Sequence, residues 1–189
     1  MKFPSQRWDP LIFASVFLSL FATLAWLTYH DVKRQKEDKM ALRERLEEVL
    51  IRWECGPVRV DKLLTVRHDG EGLVVGVGHD VLSYEKLELG DKISLGQMSR
   101  LFTVDVNAAL DASNALIQGY QTHPVPVQVV VAAMVYQMGR RGVSKFKKMI
   151  SAINARDYHL ASKEMLDSHW ARQTPHRAQA MSLLIQEKE

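Results

Sequence analysis

Hydrophobic and polar positions divide the 189 residues into three regimes. The first is a largely apolar run, Leu11 to Tyr29, nineteen residues without a charge. About twenty apolar residues span a bilayer, so the run predicts one N-terminal transmembrane helix. Trp8 before it, and Trp26 and Tyr29 at its far end, stand where interfacial aromatics anchor a span. Residues 31–40 are almost wholly polar and predict a juxtamembrane helix or linker. In the second regime Leu42, Leu46, Val49, Leu50 and Trp53 recur at three- and four-residue spacing. That period predicts an amphipathic helix ending at Glu54, with Gly56-Pro57 as its terminator.

The pattern then turns to strands. Val58, Val60, Leu63, Leu64 and Val66 precede Asp69-Gly70-Glu71-Gly72, and Leu73-Val74-Val75 and Val77 follow it. The Asp-Gly turn between two β-favouring runs predicts a small antiparallel region, and no crossover helix separates them. The third regime is helical. Ser94-Leu95-Gly96-Gln97 reads as a capping box opening a helix that runs past Leu110. Val125 to Met138 is an apolar run suited to a core helix, too short for a second span and stopped by Gly139. Ser144 is expected to begin another helix, Asp157 to cap the next, and Thr174-Pro175 to open the last. The expected organisation is a membrane segment over 1–30, a linker over 31–40 and one α+β domain over 41–189, mostly helical with its β region near the start.

Composition adds limits. Hydrophobic residues make up 47% and charged residues 25%, a globular balance without long disorder. The net charge of +3 suits an anionic partner such as cell wall or membrane surface. The single cysteine, Cys55, excludes an intrachain disulfide. No Cys/His cluster has metal-ligand spacing, so neither metal nor cofactor is expected. Arg140, Arg141, Lys145, Lys147 and Lys148 form a basic cluster. It reads as a solvated face or a contact for anionic wall polymer or lipid, and it lacks the aromatic interleaving of a nucleic-acid site.

Three motifs carry candidate chemistry. They are Gly76-Val77-Gly78-His79, Tyr136-Gln137-Met138-Gly139 continuing through Gly142-Val143 to Phe146, and Trp170-Ala171-Arg172-Gln173-Thr174-Pro175-His176-Arg177-Ala178. Together they resemble the phage-type lysozyme family, glycoside hydrolases that cut peptidoglycan. The resemblance covers residues 40–188 and is weakest over Gly56–Val75. It implies a lysozyme-like fold and an inverting cleavage between N-acetylmuramic acid and N-acetylglucosamine. One carboxyl donates a proton to the leaving oxygen while another orients the attacking water. On that pattern Glu54 is the acid and Asp69 the base, with Asp61 as a second choice for the base. Arg177 would pair with the acid, Tyr136 and Gln137 would line the sugar cleft, and His79 and Asp105 would tie the β region to a helix.

Two departures bear on activity. Glu54 and Asp69 stand fifteen positions apart, a longer interval than the family pattern. A threonine that helps hold the water is expected shortly before Gly-x-Gly-His, where this chain has Leu73-Val74-Val75. An endolysin fused to an N-terminal anchor is therefore one expectation. A catalytically weak, membrane-anchored wall-binding, virion or exclusion component is the other.

Location follows from the apolar run. The expectation is a single-pass protein of the bacterial inner membrane with its C-terminal domain in the periplasm. Release of the anchor, or cleavage after Thr23-Leu24-Ala25, is the alternative. Lys33, Arg34, Lys36 and Lys39 outnumber Lys2 and Arg7, a count that favours the domain inside. The wall substrate argues the opposite, and Asp31, Glu37 and Asp38 dilute the basic flank.

Overall fold

A computed structural model describes residues 10–55, 60–70 and 72–187, and among residues 10–20 it describes the backbone alone. Gly56-Pro57, the expected terminator of the amphipathic helix, and Trp8 lie outside the described residues. The chain divides into two compact units, Met1–Ala41 and Leu42–Glu189.

In the first unit the described backbone is helical, part of α1 (Pro10–Leu50). The polar stretch 31–40 is thus helix, with Lys33–Glu37 and Arg34–Asp31 ion pairs along it. Among the described residues no helix is long and apolar enough to cross a membrane. The predicted span over 11–29 is therefore not supported by the structure. Its first part lies among residues whose side chains are not described, and from Phe21 onward only a short uncharged stretch precedes Asp31.

The second unit is α+β, as its sequence pattern predicts. Leu42, Leu46 and Leu50 bury the inner face of the end of α1 in the main core. A π-turn, Ile51–Cys55, closes that helix and is followed after the undescribed loop by α2 (Val60–Leu63). Three short strands form an antiparallel sheet in chain order: β1 (Arg67–Asp69), β2 (Gly72–Val75) and β3 (His79–Asp80). The sequence pattern marks the Asp-Gly hairpin, but the run expected as its first strand is helical over Val60–Leu63, and only Arg67–Asp69 pairs as β1. The third strand follows from Gly76 and Gly78, whose φ angles of 63° and 76° turn the chain back on itself.

Register assigns the sheet's two faces. Val74 pairs with Arg67 and with Asp80, Val75 with His79, and Asp69 with Gly72. Cross-strand partners share a face and neighbours along a strand alternate. Leu73 and Val75 thus point one way, into a small core with Val66 and Ile93. Arg67, Asp69, Val74 and Asp80 share the other face.

Helices complete the domain: α3 (Leu95–Leu116), α4 (Val125–Val143), α5 (Lys147–Asn154), α6 (Tyr158–Leu166), α7 (His169–Gln173) and α8 (Pro175–Leu184). Ser94 and Gln97 form the expected reciprocal box at the start of α3. Residues Pro126 to Val135 of α4 are all buried, which explains an apolar run without a polar face. Asp157 caps α6 by accepting from the Leu160 amide at 2.9 Å. One helix start and one side-chain cap differ from expectation. Ser144 gives its hydroxyl to the Arg141 carbonyl, closing the turn after α4, so α5 begins later at Lys147. Thr174 donates to the Trp170 carbonyl at the end of α7 rather than capping α8, leaving Pro175 as the first residue of α8.

Gly139 interrupts α4 with φ 67° and ψ 165°, a conformation essentially reserved for glycine. A Cβ there would meet open space, so any cost of adding one is purely conformational. Gly139→Ala should therefore lower stability by about 2 kcal/mol. Thermal melts check this, and an unchanged Tm would mean that the kink is not required.

Candidate active site

The π-turn carries Glu54, one residue before its end at Cys55. Such turns insert one extra residue into a helical turn and re-aim the side chains that follow. Arg177, on the first turns of α8, reaches across to it. Its Nη1 donates to Glu54 Oε1 at 2.8 Å and its Nη2 donates to the Trp53 carbonyl at 2.9 Å. The guanidinium also lies 5.6 Å from the centroid of the Trp53 ring. One arginine thus fixes both the carboxylate and the backbone that carries it. The pair is well shielded, with side-chain exposures of 20% for Glu54 and 13% for Arg177.

The sheet approaches this pair through glycine. A Cβ at Gly78 would lie 3.6 Å from Glu54 Oε2 and 3.9 Å from the Tyr136 ring. Tyr136 gives its hydroxyl to the Val77 carbonyl, tying α4 to the turn before β3. Burial, then the nearby negative charges of Asp105 and Glu54, push its phenol far up, so it stays a protonated donor. Gln137 accepts from the Trp170 indole at 2.9 Å. Glu54, Gln137, Trp170 and Arg177 line one small cavity. Gly78, His79, Asp80, Asp105, Tyr136 and Arg140 line a separate open groove.

His79 is clamped from both sides. Its Nδ1 lies 2.8 Å from Asp105 Oδ2, and its Nε2 lies 3.1 Å from both oxygens of Glu85. Burial alone would lower its pKa, but hydrogen bonds and charges from Asp105 and Glu85 outweigh that and raise it. Glu85 also accepts from the Leu82 amide at 2.7 Å. Sequence reading missed Glu85, although an acid six residues after a histidine across a short loop is a usable signal.

The candidate base is placed differently. Asp69 sits at the end of β1, exposed, at the tip of the first hairpin. Among the described residues no hydrogen bond or ion pair joins it to Glu54 or Arg177. Asp61 lies in α2, where its carbonyl accepts the Thr65 hydroxyl. Val74, on the same sheet face as Asp69, is 4% exposed and offers no hydroxyl. A further residue of that face was overlooked in the sequence. Arg67 stands two positions before Asp69, and its Nη1 is buried with no hydrogen-bond partner among the described residues. Its charge reaches Cys55, next to Glu54: burial and then Glu54 push that thiol up, while Arg67 pulls it down.

This arrangement fits a lysozyme-like α+β fold. No protein-family model matches the chain. Over 105 residues, 54% of its length, the chain is 33% identical to "Probable T4-type lysozyme 2" of Dictyostelium discoideum and covers 61% of that protein. It is 26% identical over 147 residues to "Probable T4-type lysozyme 1" of the same organism, covering 86% of it. It is 29% identical over 112 residues to "Peptidoglycan hydrolase gp36" of Pseudomonas phage phiKMV, covering 12% of it. The chain therefore spans about three fifths of the first relative's length and a small part of the phage protein.

Proposed function

We propose that the chain is a peptidoglycan hydrolase, cleaving the β-1,4 bond between N-acetylmuramic acid and N-acetylglucosamine with inversion. The observation that carries this reading is the shielded Glu54–Arg177 pair, set at a cavity that it shares with Gln137 and Trp170. Lysozyme and peptidoglycan-hydrolase names among the relatives support it. In this mechanism Glu54 gives its proton to the glycosidic oxygen as the bond to the anomeric carbon breaks. Asp69 takes a proton from the water that attacks from the opposite face of the sugar. Arg177 keeps the Glu54 carboxyl aimed, and Tyr136 and Gln137 flank the sugar. The uncharged run from Leu11 to Tyr29 supports tethering of this domain at a bacterial inner membrane, and the wall substrate, against the Lys/Arg count, argues for the periplasmic side.

A second reading has its own observation. Val74 offers no hydroxyl on the Asp69 face, which favours a wall-binding protein without turnover. The purified full chain separates the two when added to outer-membrane-permeabilised Gram-negative cells. A hydrolase clears the suspension and releases new reducing ends that are first formed as the α-anomer. A folded chain that binds sacculi but releases no reducing ends would overturn the hydrolase reading in favour of the second.

A further inference from the structure

Two charged side chains in the wall of the open groove have no protein partner. The groove encloses about 360 Å³, at the lower end of small-ligand sites. The turn before β3 and β3 itself supply Gly78, His79 and Asp80, and α4 supplies Tyr136, Gly139 and Arg140. Gly78 also borders the proposed acid, since a Cβ on it would stand 3.6 Å from Glu54 Oε2. Part of the groove wall is therefore an immediate neighbour of Glu54. At the other end of the α4 contribution, Gly139 leaves helical geometry just before Arg140, so that arginine starts from a redirected backbone.

The other polar groups of the groove are committed. His79 and Asp105 hold each other at 2.8 Å, Glu85 holds His79 from its far side, and Tyr136 gives its hydroxyl to the Val77 carbonyl. Among the described residues the side chains of Asp80 and Arg140 enter no hydrogen bond or ion pair, with each other or with any other group. Both are exposed, so a ligand that meets them displaces water and breaks no contact within the protein. Their chemistry is complementary: an ionised carboxylate only accepts hydrogen bonds and a guanidinium only donates them. A ligand that engages both must offer donors on one edge and an acceptor on another. An N-acetylhexosamine does so, through its ring hydroxyls and its acetamido carbonyl.

We propose that Asp80 and Arg140 are specificity-determining residues that grip one N-acetylhexosamine of the wall glycan in this groove. Asp80 accepts from ring hydroxyls, and Arg140 donates to the acetamido carbonyl. The choice of a wall sugar rests on the hydrolase reading, which this pair deepens by assigning contacts to a saccharide near the bond that is cut. Neither residue exchanges a proton with the reacting atoms. Their contacts are the same in the bound substrate and in the transition state, so they act on binding and leave the chemical step alone.

Asp80→Ala, Arg140→Met and Arg140→Lys in the full chain test this, with peptide-free glycan strands as substrate. Asp80→Ala and Arg140→Met should each raise KM about tenfold with kcat nearly unchanged, as when one charged hydrogen bond of uniform binding is lost. Tm should match the parent, because both side chains are exposed. Arg140→Lys should fall between the parent and Arg140→Met, since an ammonium donates but lacks the planar fork. The Arg140→Met effect should persist at ~1 M salt, where the screening length is about 3 Å. Its disappearance there would overturn the direct contact and leave Arg140 as one more cation attracting a polyanion. An unchanged KM in either Asp80→Ala or Arg140→Met would overturn the grip. Calorimetric Kd values for the same strands separate the grip from the hydrolase reading. A parent that binds strands, with binding weakened in both variants, yet releases no reducing ends would bring down the hydrolase reading and keep the grip. A parent that turns over while both variants keep its Kd and KM would bring down the grip alone. A folded parent that neither binds nor cleaves the strands would overturn both.

Discussion

Glu54→Gln is expected to reduce release of reducing ends from peptidoglycan by at least about a hundredfold, the scale of a positioned general acid. The amide is nearly isosteric and still accepts from Arg177 Nη1, which lies 2.8 Å from the carboxylate oxygen in the parent. It has no proton to give to a leaving oxygen. Arg177 also keeps its bond to the Trp53 carbonyl and its position over the Trp53 ring. Loss of activity should therefore come with a Tm close to that of the parent, within the ~1 kcal/mol by which a charged hydrogen bond exceeds a neutral one. Asp69→Asn should be slower than the parent while the fold is untouched, because Asp69 is exposed at a hairpin tip. Reducing-end assays and thermal melts on the same preparations measure both quantities. Substantial turnover in Glu54→Gln would remove Glu54 from the acid role, whatever happens at Asp69.

The parts of this site legible in the sequence are those where local chemistry and long-range pairing agree. Ser94 and Gln97 satisfy each other within one turn, so the box is visible without the fold. Arg177, Gln137 and Trp170 are different. Their contacts join residues 33 and 123 positions apart, and no periodicity announces them. They were found because the resemblance supplied the motifs around them. Glu85 and Arg67 escaped because neither stands in a motif. Each acquires its place from strand register and from the loop after β3. The later start of α5 at Lys147 and the missing side-chain cap on α8, which does begin at Pro175 as expected, share a local reason. Ser144 and Thr174 could cap forward or bond backward to the preceding helix, and composition does not choose between the two. The membrane span rests on nineteen uncharged residues, of which only the second part carries described side chains.

His79 should show the largest stability effect and a pH dependence of definite sign. It is 8% exposed at the side chain and bridges Asp105 of α3 and Glu85 after β3. It thereby anchors the strand that follows Gly78, whose backbone abuts Glu54. His79→Ala leaves two shielded carboxylates facing each other across the vacated space. A cost of roughly 3–5 kcal/mol is expected, a drop in Tm on the order of 10 °C. The folded protein raises the His79 pKa, so the bridge is fully formed below the unfolded value of about 6.5 and is lost as pH climbs through the folded value. Asp105 acts in the same direction: burial raises its pKa against the pull of His79, so the folded state again holds its proton more firmly than the unfolded one. Both groups thus make stability fall as pH rises, with the histidine contribution lost above about 6.5. His79→Gln can still donate one hydrogen bond but has no proton to lose, so its melting profile should be flatter than that of the parent between about pH 6 and 9. Calorimetric melts of parent and His79→Gln across that range decide the matter. Parallel profiles would mean that His79 is neutral in the folded state and that the clamp is held by hydrogen bonds alone.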